Sequence, residues 1–395
     1  MLLDSVIVLV ILLASAVLWR PSLRHWPVWR AMVTPLASII GSGFLVLGPL
    51  LNHAYGAWAP LAMAGLCAAA WGFGVAIRDN MAVIGDELDA GEGLWAEGVA
   101  SALLGFAYMI SVAYYLNLFG AFALSLTPWT DPFSARLLTS AVYLLILGVG
   151  MTKGFALLET MEYASVALKL AIIAGLLVAL MVHFSGMAVT GSLITAPARV
   201  TGWAALTLLF GMIVTVQGFE TSRYLGHAYD APTRIRSMRL AQIVSTGIYL
   251  VYITLIAFTF APDPAHLSET AIVDMMAQVS PVLPLFLVAA ALAAQFSAAV
   301  ADTSGSGGLI AELSRNRITP RRAYAVTVAL GLAITWAADV FQIISYASRA
   351  FAAYYAVQAG IAAVRVWPRR KGRAVVHAAL AVLAAAVVIF GTPVA

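Results

Sequence analysis

Residues 39–45 read IIGSGFL and residues 216–220 read VQGFE, and each stretch interrupts an apolar run of membrane-spanning length. Lipid cannot hydrogen-bond a backbone, so a spanning helix can break only where its freed amides and carbonyls are buried in protein or line a cavity. Gly41, Gly43 and Gly218 let the chain leave helical geometry without a side-chain clash. A glycine costs about 0.5–1 kcal/mol in an ordinary helix, so each of the three needs a reason. Close helix packing is one, because small residues are common at membrane interfaces. A binding site between two broken helices is the other, and the recurrence of the break at matching places in the chain favours it.

Composition sets the class around those breaks. Of 395 residues, 62% are hydrophobic and 10% charged, a balance that excludes a soluble globular protein of this size and marks a multi-pass membrane protein. About twelve spans are expected, with cores at 2–19, 32–51, 57–78, 94–126, 136–151, 155–183, 201–226, 239–261, 277–301, 323–338, 340–364 and 374–392. The single cysteine, Cys67, lies inside an apolar run, which excludes a disulfide framework and a cysteine metal site. Leu2 to Trp19 lacks an A-x-A cleavage site and is read as a retained helix rather than a signal peptide. Trp26 and Trp29, before the second span, read as interfacial anchors.

The cations test this scheme. Arg20, Arg24, Arg30, Arg78, Lys153, Arg223, Arg234, Arg236, Arg239, Arg315, Arg317, Arg321, Arg322, Arg365, Arg369, Arg370, Lys371 and Arg373 fall on alternate loops, eighteen of the 22 lysines and arginines. Arg136 and Arg199 fall on the opposite side. By the positive-inside rule both termini are expected to face outward. The remaining two, Lys169 and Arg349, fall inside spans.

Counting core helices from the one that holds Gly41, the second break lies in core helix 6. Five is an odd separation, so the broken helices run antiparallel, as two inverted halves of five helices would place them. An all-α membrane protein is expected. Residues 1–30 would form an extra transmembrane helix and a basic linker, and residues 31–364 the core, with repeats at 31–184 and 200–364. Residues 365–395 would form a last transmembrane helix.

These residues resemble the amino acid, polyamine and organocation (APC) transporter superfamily. G-S-G-F at 41–44 is similar to its broken-helix signature. LFGMIVTVQGFETSRYLGHAYDAPTR at 209–234 resembles its F-x-x-x-x-G-F-E followed by a basic inner loop. GDELDAGEG at 85–93 and GLIAELSRNRITP at 308–320 resemble its acidic, glycine-rich stretch and the segment leading from core helix 8 to a proline. The resemblance covers approximately residues 32–364. ADTSGSGGLIAEL, unusually rich in small and hydroxyl residues, and Gln217 before the glycine depart from the pattern, which bears on the substrate more than on the fold. The resemblance implies a five-plus-five inverted repeat and secondary transport by alternating access.

The chemistry of the breaks agrees. Where core helix 1 restarts, unpaired amides near Ser42, Gly43 and Phe44 carry a partial positive charge suited to a carboxylate. Its first half ends in carbonyls near Ala37 to Ile39, and the outer half of core helix 6 ends likewise near Ile213 to Thr215. Carbonyls suit an ammonium. A cavity offering both ends is complementary to a zwitterion, so an amino acid or related organic amine is the expected substrate. The candidate binding residues are Ile40, Gly41, Ser42, Gly43, Phe44, Tyr114, Thr215, Gln217, Gly218, Phe219 and Glu220. Gln217 is read two ways, as a reader of a polar substrate group and as a partner of the unwound backbone. Tyr115, Asn117, Phe351, Tyr354 and Tyr355 are weaker candidates, because tyrosine in membrane helices more often packs or anchors.

A charge at bilayer depth costs about 2.5–3.5 kcal/mol even on the lenient insertion scale, which singles out Lys169, Glu220, Asp302 and Arg349. The resemblance implies that Lys169 fills the volume where sodium sits in sodium-coupled relatives, and hence proton coupling or sodium-independent exchange. Lys169, Asp302 and Glu220 are the expected proton-coupling groups. The bland alternatives are a fixed salt bridge for Lys169 and a hydrogen bond to the broken segment for Glu220. Gln295, Asp302 and Ser306 share one face of core helix 8, which at that depth must look inward. Thr303 and Ser304 keep a sodium site open as the rival reading. Arg349, about ten residues into its helix, is expected to form a buried pair with Glu220 or Asp302, in preference to holding an anionic substrate group.

Two other classes compete. One is an inorganic cation carrier, for potassium or a metal, or a sodium-coupled solute carrier of the same fold; a divalent-metal site calls for inward Asp, Asn, Met or His at the breaks. The other is an intramembrane serine protease using Ser42, which needs a general base, whereas His25, His53, His183, His227, His266 and His377 lie at span ends or in loops. No H-E-x-x-H and no Walker A pattern occurs. The chain is therefore read as no enzyme and as needing no cofactor. Its expected partners are a small-molecule substrate, a proton, sodium on the rival reading, and the lipid bilayer, with no nucleic acid. A monomer or homodimer in the plasma membrane, the inner one in bacteria, is expected.

Overall fold

Helix is the only regular structure among the described residues. A computed structural model describes residues 2–41, 43–84, 95–152, 162–226, 228–262, 267–315 and 317–394. Ser42, the GDELDAGEG stretch, Lys153, His227 and His266 lie outside them. Helix α1 (Leu2–Leu18) and the short α2 (Pro21–Arg24) precede α3 (Pro27–Ile39) and α4 (Gly43–Tyr55), the halves of the first broken helix. Next come α5 (Ala59–Ile84), α6 (Trp95–Leu124), α7 (Pro132–Thr152) and α8 (Glu162–Val189). The second half opens with α9 (Gly202–Phe210) and two 3-10 turns, Ile213–Val216 and Phe219–Tyr224. It continues through α10 (Ala231–Thr259), α11 (Ala271–Ala277), α12 (Leu283–Leu313), α13 (Pro320–Ala337) and α14 (Val340–Val366), and α15 (Lys371–Phe390) closes the chain.

Local chemistry places the ends. Prolines occupy the first turns of α2, α3, α10, α12 and α13, where a missing N–H goes unnoticed. Asp230 starts α10 by accepting the Thr233 amide at 2.9 Å. Asp339 and Gln342 open α14 with a reciprocal capping box.

The first break is short. Ile40 leaves helical geometry at φ −87° and ψ 51°, and α4 restarts at Gly43. The second is longer than one glycine suggests. After α9 the chain tightens into a 3-10 turn, runs extended at Gln217, turns left-handed at Gly218 (φ 113°) and enters a second 3-10 turn. The inner half of core helix 6 is therefore not an α-helix.

Core helices five places apart pack on each other: α5 on α10, α6 on α12, and α7 on α13, with the α6–α12 contact the most extensive among the described residues. That pattern is what an inverted repeat produces when its two halves interlock. The breaks follow the same rule. A Cβ on Gly218 would lie 2.3 Å from Ser38 Cβ, and one on Gly43 would lie 3.0 Å from Thr215 Cα. The two unwound segments thus cross in contact, and the glycines permit it. Outside this core, Ile7 and Ile11 of α1 lie against Gly175 of α8. Helix α15 packs along α14, and Asp79 of α5 binds His377 at 2.7 Å and Arg373 at 2.6 Å.

Seven described stretches are long and apolar enough to cross a membrane unaided. The remaining expected spans fall short for visible reasons. The breaks cut α3 and α9 to half length, α1 has 17 residues, and α13 and α14 each carry two arginines. Gly218→Ala should destabilise the protein by about 1–3 kcal/mol through backbone strain alone, with the clash against Ser38 adding to it. Gly247→Ala, inside α10 where an added Cβ meets no neighbouring element within 4 Å, should keep or raise the thermal midpoint in detergent. Equal midpoints for the two variants would contradict the crossing of the breaks.

Candidate functional site

The unwound backbone is satisfied from within the protein. The Tyr249 hydroxyl of α10 lies 2.8 Å from the Ile39 carbonyl and 2.7 Å from the Thr215 carbonyl, so one proton is shared between both breaks. Lys169 of α8 donates to the Ala37 carbonyl at 2.7 Å. Ser348 of α14 donates to the Gly211 carbonyl at 2.8 Å and accepts the Val214 amide at 3.0 Å. Pro49 has no N–H to offer the Leu45 carbonyl, and the Tyr252 hydroxyl donates to that carbonyl instead at 3.2 Å. The expectation that carbonyls at Ala37 to Ile39 and Ile213 to Thr215 await an ammonium is thus corrected. Lys169 and Tyr249 already hold several of them.

Side-chain atoms are what remain unpaired. Oε1 of Gln217, Oε1 of Glu220 and both amide atoms of Gln295 are buried without a hydrogen-bond partner among the described residues. Buried polar atoms nearly always have partners, so these mark places for water or ligand. The other atoms of the first two are fixed. Gln217 Nε2 donates to the Tyr115 hydroxyl at 3.0 Å, while Glu220 Oε2 accepts from the Gly218 amide at 3.0 Å and the Tyr355 hydroxyl at 2.9 Å. Aromatic rings brace the same region. Tyr355 stacks on Phe219 at 5.3 Å and Phe73 at 5.0 Å, and Phe44 lies 4.3 Å from the Tyr252 ring.

Two cavities of about 10 Å³ border Lys169, each with room for roughly one water. Ile40, Gly41 and Phe44 face one; Ser38, Ser165, Ser297 and Ala301 face the other. A cleft of about 400 Å³ between α8 and α12 shares Ser165 and Ser297 with the second cavity. Ser165 and Ser297 thus stand between the cleft and the cavity beside the lysine, and the Ser165 hydroxyl donates to the Ala293 carbonyl at 3.2 Å.

The structure gathers Ile40, Gly41, Gly43, Phe44, Tyr114, Thr215, Gln217, Gly218, Phe219 and Glu220 around the crossing. Asp302 receives the Ser111 hydroxyl of α6, and Lys169 meets the Ala37 carbonyl. Other expectations change. Thr303 turns its hydroxyl back to the Ala299 carbonyl at 2.7 Å, and neither it nor Ser304 borders the cavities beside Lys169. Arg349 forms no buried pair with Glu220 or Asp302. It is exposed on α14, and its Nε donates to the Val388 carbonyl at 2.6 Å, at the carbonyl end of α15 where a cation is favoured.

Sequence reasoning missed Tyr249, Tyr252 and Ser348, which read as ordinary packing residues until the carbonyls they serve are located. It also missed a polar latch. Glu97 of α6 binds Arg223 at 2.8 Å and Arg365 at 3.0 Å, and Gln358 joins Arg223, Glu97 and Asn80. The latch ties the end of the second unwound segment to α5, α6 and α14.

A family model described as an APC superfamily transporter matches residues 21–391. The chain is also 41% identical, over 351 residues, to an uncharacterized protein of Aquifex aeolicus (strain VF5), covering 87% of this chain and 85% of that one. The shared hydroxyl gives a direct test of the geometry. Tyr249→Phe strips both carbonyls of their donor and should destabilise by about 1–3 kcal/mol, read as a lowered thermal midpoint, whereas Tyr346→Phe at an exposed position should not.

Proposed function

The chain belongs to the APC superfamily of transporters, and from that membership and the geometry of its breaks we propose that it moves an amino acid or related organic amine by alternating access. Coupling is to protons, or transport is a sodium-independent exchange. One observation carries this reading: the Lys169 ammonium sits on the Ala37 carbonyl at 2.7 Å, so a tethered cation holds the carbonyl end of the first break. A lysine cannot leave its site, but its proton can. A coupling sodium ion next to it would meet like-charge repulsion.

The substrate's carboxylate is assigned to the amide end of α4 at Gly43, because the Phe44 amide already donates to the Gly41 carbonyl at 3.3 Å. Its ammonium is assigned to the unpaired oxygens of Gln217 and Glu220 in place of the carbonyls already served from within. Lys169, Glu220 and Asp302 form the proton-coupling set. The Glu97 latch must open for the arginine-rich end to admit or release solute, and that end faces the cytoplasm, with both termini outside the plasma membrane.

Proteoliposome uptake tests the proposal. Purified protein should accumulate one class of amino acid when an inward proton gradient is imposed, with no change on replacing sodium by potassium. Lys169→Gln should lose the response to the gradient while still binding substrate, seen as a retained thermal shift. Uptake that needs sodium would overturn the coupling assignment. A thermal shift with metal salts and with no amino acid or amine would overturn the substrate class.

A further inference from the structure

At the shared ends of α5, α14 and α15, away from the breaks, lies a pocket of about 270 Å³ bordered by Arg365, Arg369, Arg370 and Arg373. Four arginines around one concavity repel one another unless an anion joins them. Asp79, the one carboxylate bordering the pocket among the described residues, already holds Arg373 at 2.6 Å and His377 at 2.7 Å. Glu97 is shared between Arg365 and Arg223. The side chains of Arg369 and Arg370 have no hydrogen-bond or ion-pair partner among the described residues.

A second observation points the same way. Arg373, in the first turn of α15, lines one wall, and the cap residue, Arg370, provides no side-chain acceptor for the opening amides. A 20-residue helix thus directs its positive end at the arginines. The other wall is apolar, through Ala82, Val83 and Val366. Around it Val364, Val375 and Val376 are exposed, and Trp367 beside them is exposed too, a residue that settles at the membrane–water boundary. An occupant must therefore join a phosphate-like anion to an apolar body.

We propose that this pocket binds the phosphate head group of an anionic phospholipid whose acyl chains lie along the exposed valines of α5, α14 and α15. Bound there, the lipid bridges the last helix to the transporter core. Bidentate geometry favours arginine for such recognition.

Full-length protein in detergent is titrated with dioleoyl phosphatidylglycerol, with dioleoyl phosphatidylcholine and with inorganic phosphate, and read by thermal midpoint and by lipid adducts in native mass spectrometry. Phosphatidylglycerol should raise the midpoint and phosphatidylcholine should not. Arg369→Gln with Arg370→Gln should weaken phosphatidylglycerol binding by about tenfold or more. Equal effects of the two lipids on the native protein, a comparison that needs no variant, would overturn the proposal. So would unchanged binding in a folded double variant. Inorganic phosphate reproducing the whole shift would assign the pocket to a free anion and overturn the lipid.

Discussion

A backbone hydrogen bond given up inside lipid has no water to replace it, and this constraint organises the core. Both interrupted helices break where the other can reach, so that Gly218 lies on Ser38 and Gly43 on Thr215. A single hydroxyl, that of Tyr249, then serves a carbonyl from each side. Moving either break along its helix by one turn, about 5.4 Å, would strand those carbonyls beyond reach of their donor. The positions of α10, which brings Tyr249 and Tyr252, of α14, which brings Ser348, and of α8, which brings Lys169, follow from the same requirement.

Satisfying backbone from side chains has a chemical consequence. Main-chain groups at the crossing are largely spoken for, while Gln217, Glu220 and Gln295 keep buried atoms open. Recognition on the proposed reading therefore passes from carbonyl dipoles to side-chain oxygens, which differ from one sequence to another far more readily than a backbone does. Selectivity would then rest with residues that leave the architecture alone.

The fold was legible because its decisive signals are one-dimensional. Glycines inside IIGSGFL and VQGFE, alternating cation-rich loops and an odd spacing between breaks are properties of chain order, and none requires knowing which way a side chain points. The site was legible only in part, because its details are azimuthal. Ser297 and Thr303 sit six residues apart on α12, about 600° of rotation, which leaves them roughly 120° apart around the helix. The cavity beside Lys169 meets the former and not the latter. Arg349 was misplaced for a related reason: depth along a span says nothing of the face, and the carbonyl it binds belongs to a helix 39 residues later. The length of the second break was hidden too, since Ile213–Val216 holds no glycine and its 3-10 geometry is held by Ser348 and Tyr249 rather than by propensity.

A lysine at the carbonyl end of a broken helix differs from a bound ion in what it leaves behind. Sodium departs with its charge and empties its volume. Lys169 on the proposed reading keeps its volume filled in both protonation states and changes the strength of its hold on Ala37. A charge-assisted hydrogen bond is roughly twice as strong as a neutral one, so loss of the proton loosens the contact between α3 and α8 without opening a void. The place loosened is next to Ser165 and Ser297 and a cavity with room for about one water. Proton exchange and helix release then occur at one contact, which is the minimum a coupled carrier needs to make its conformational change depend on its ion.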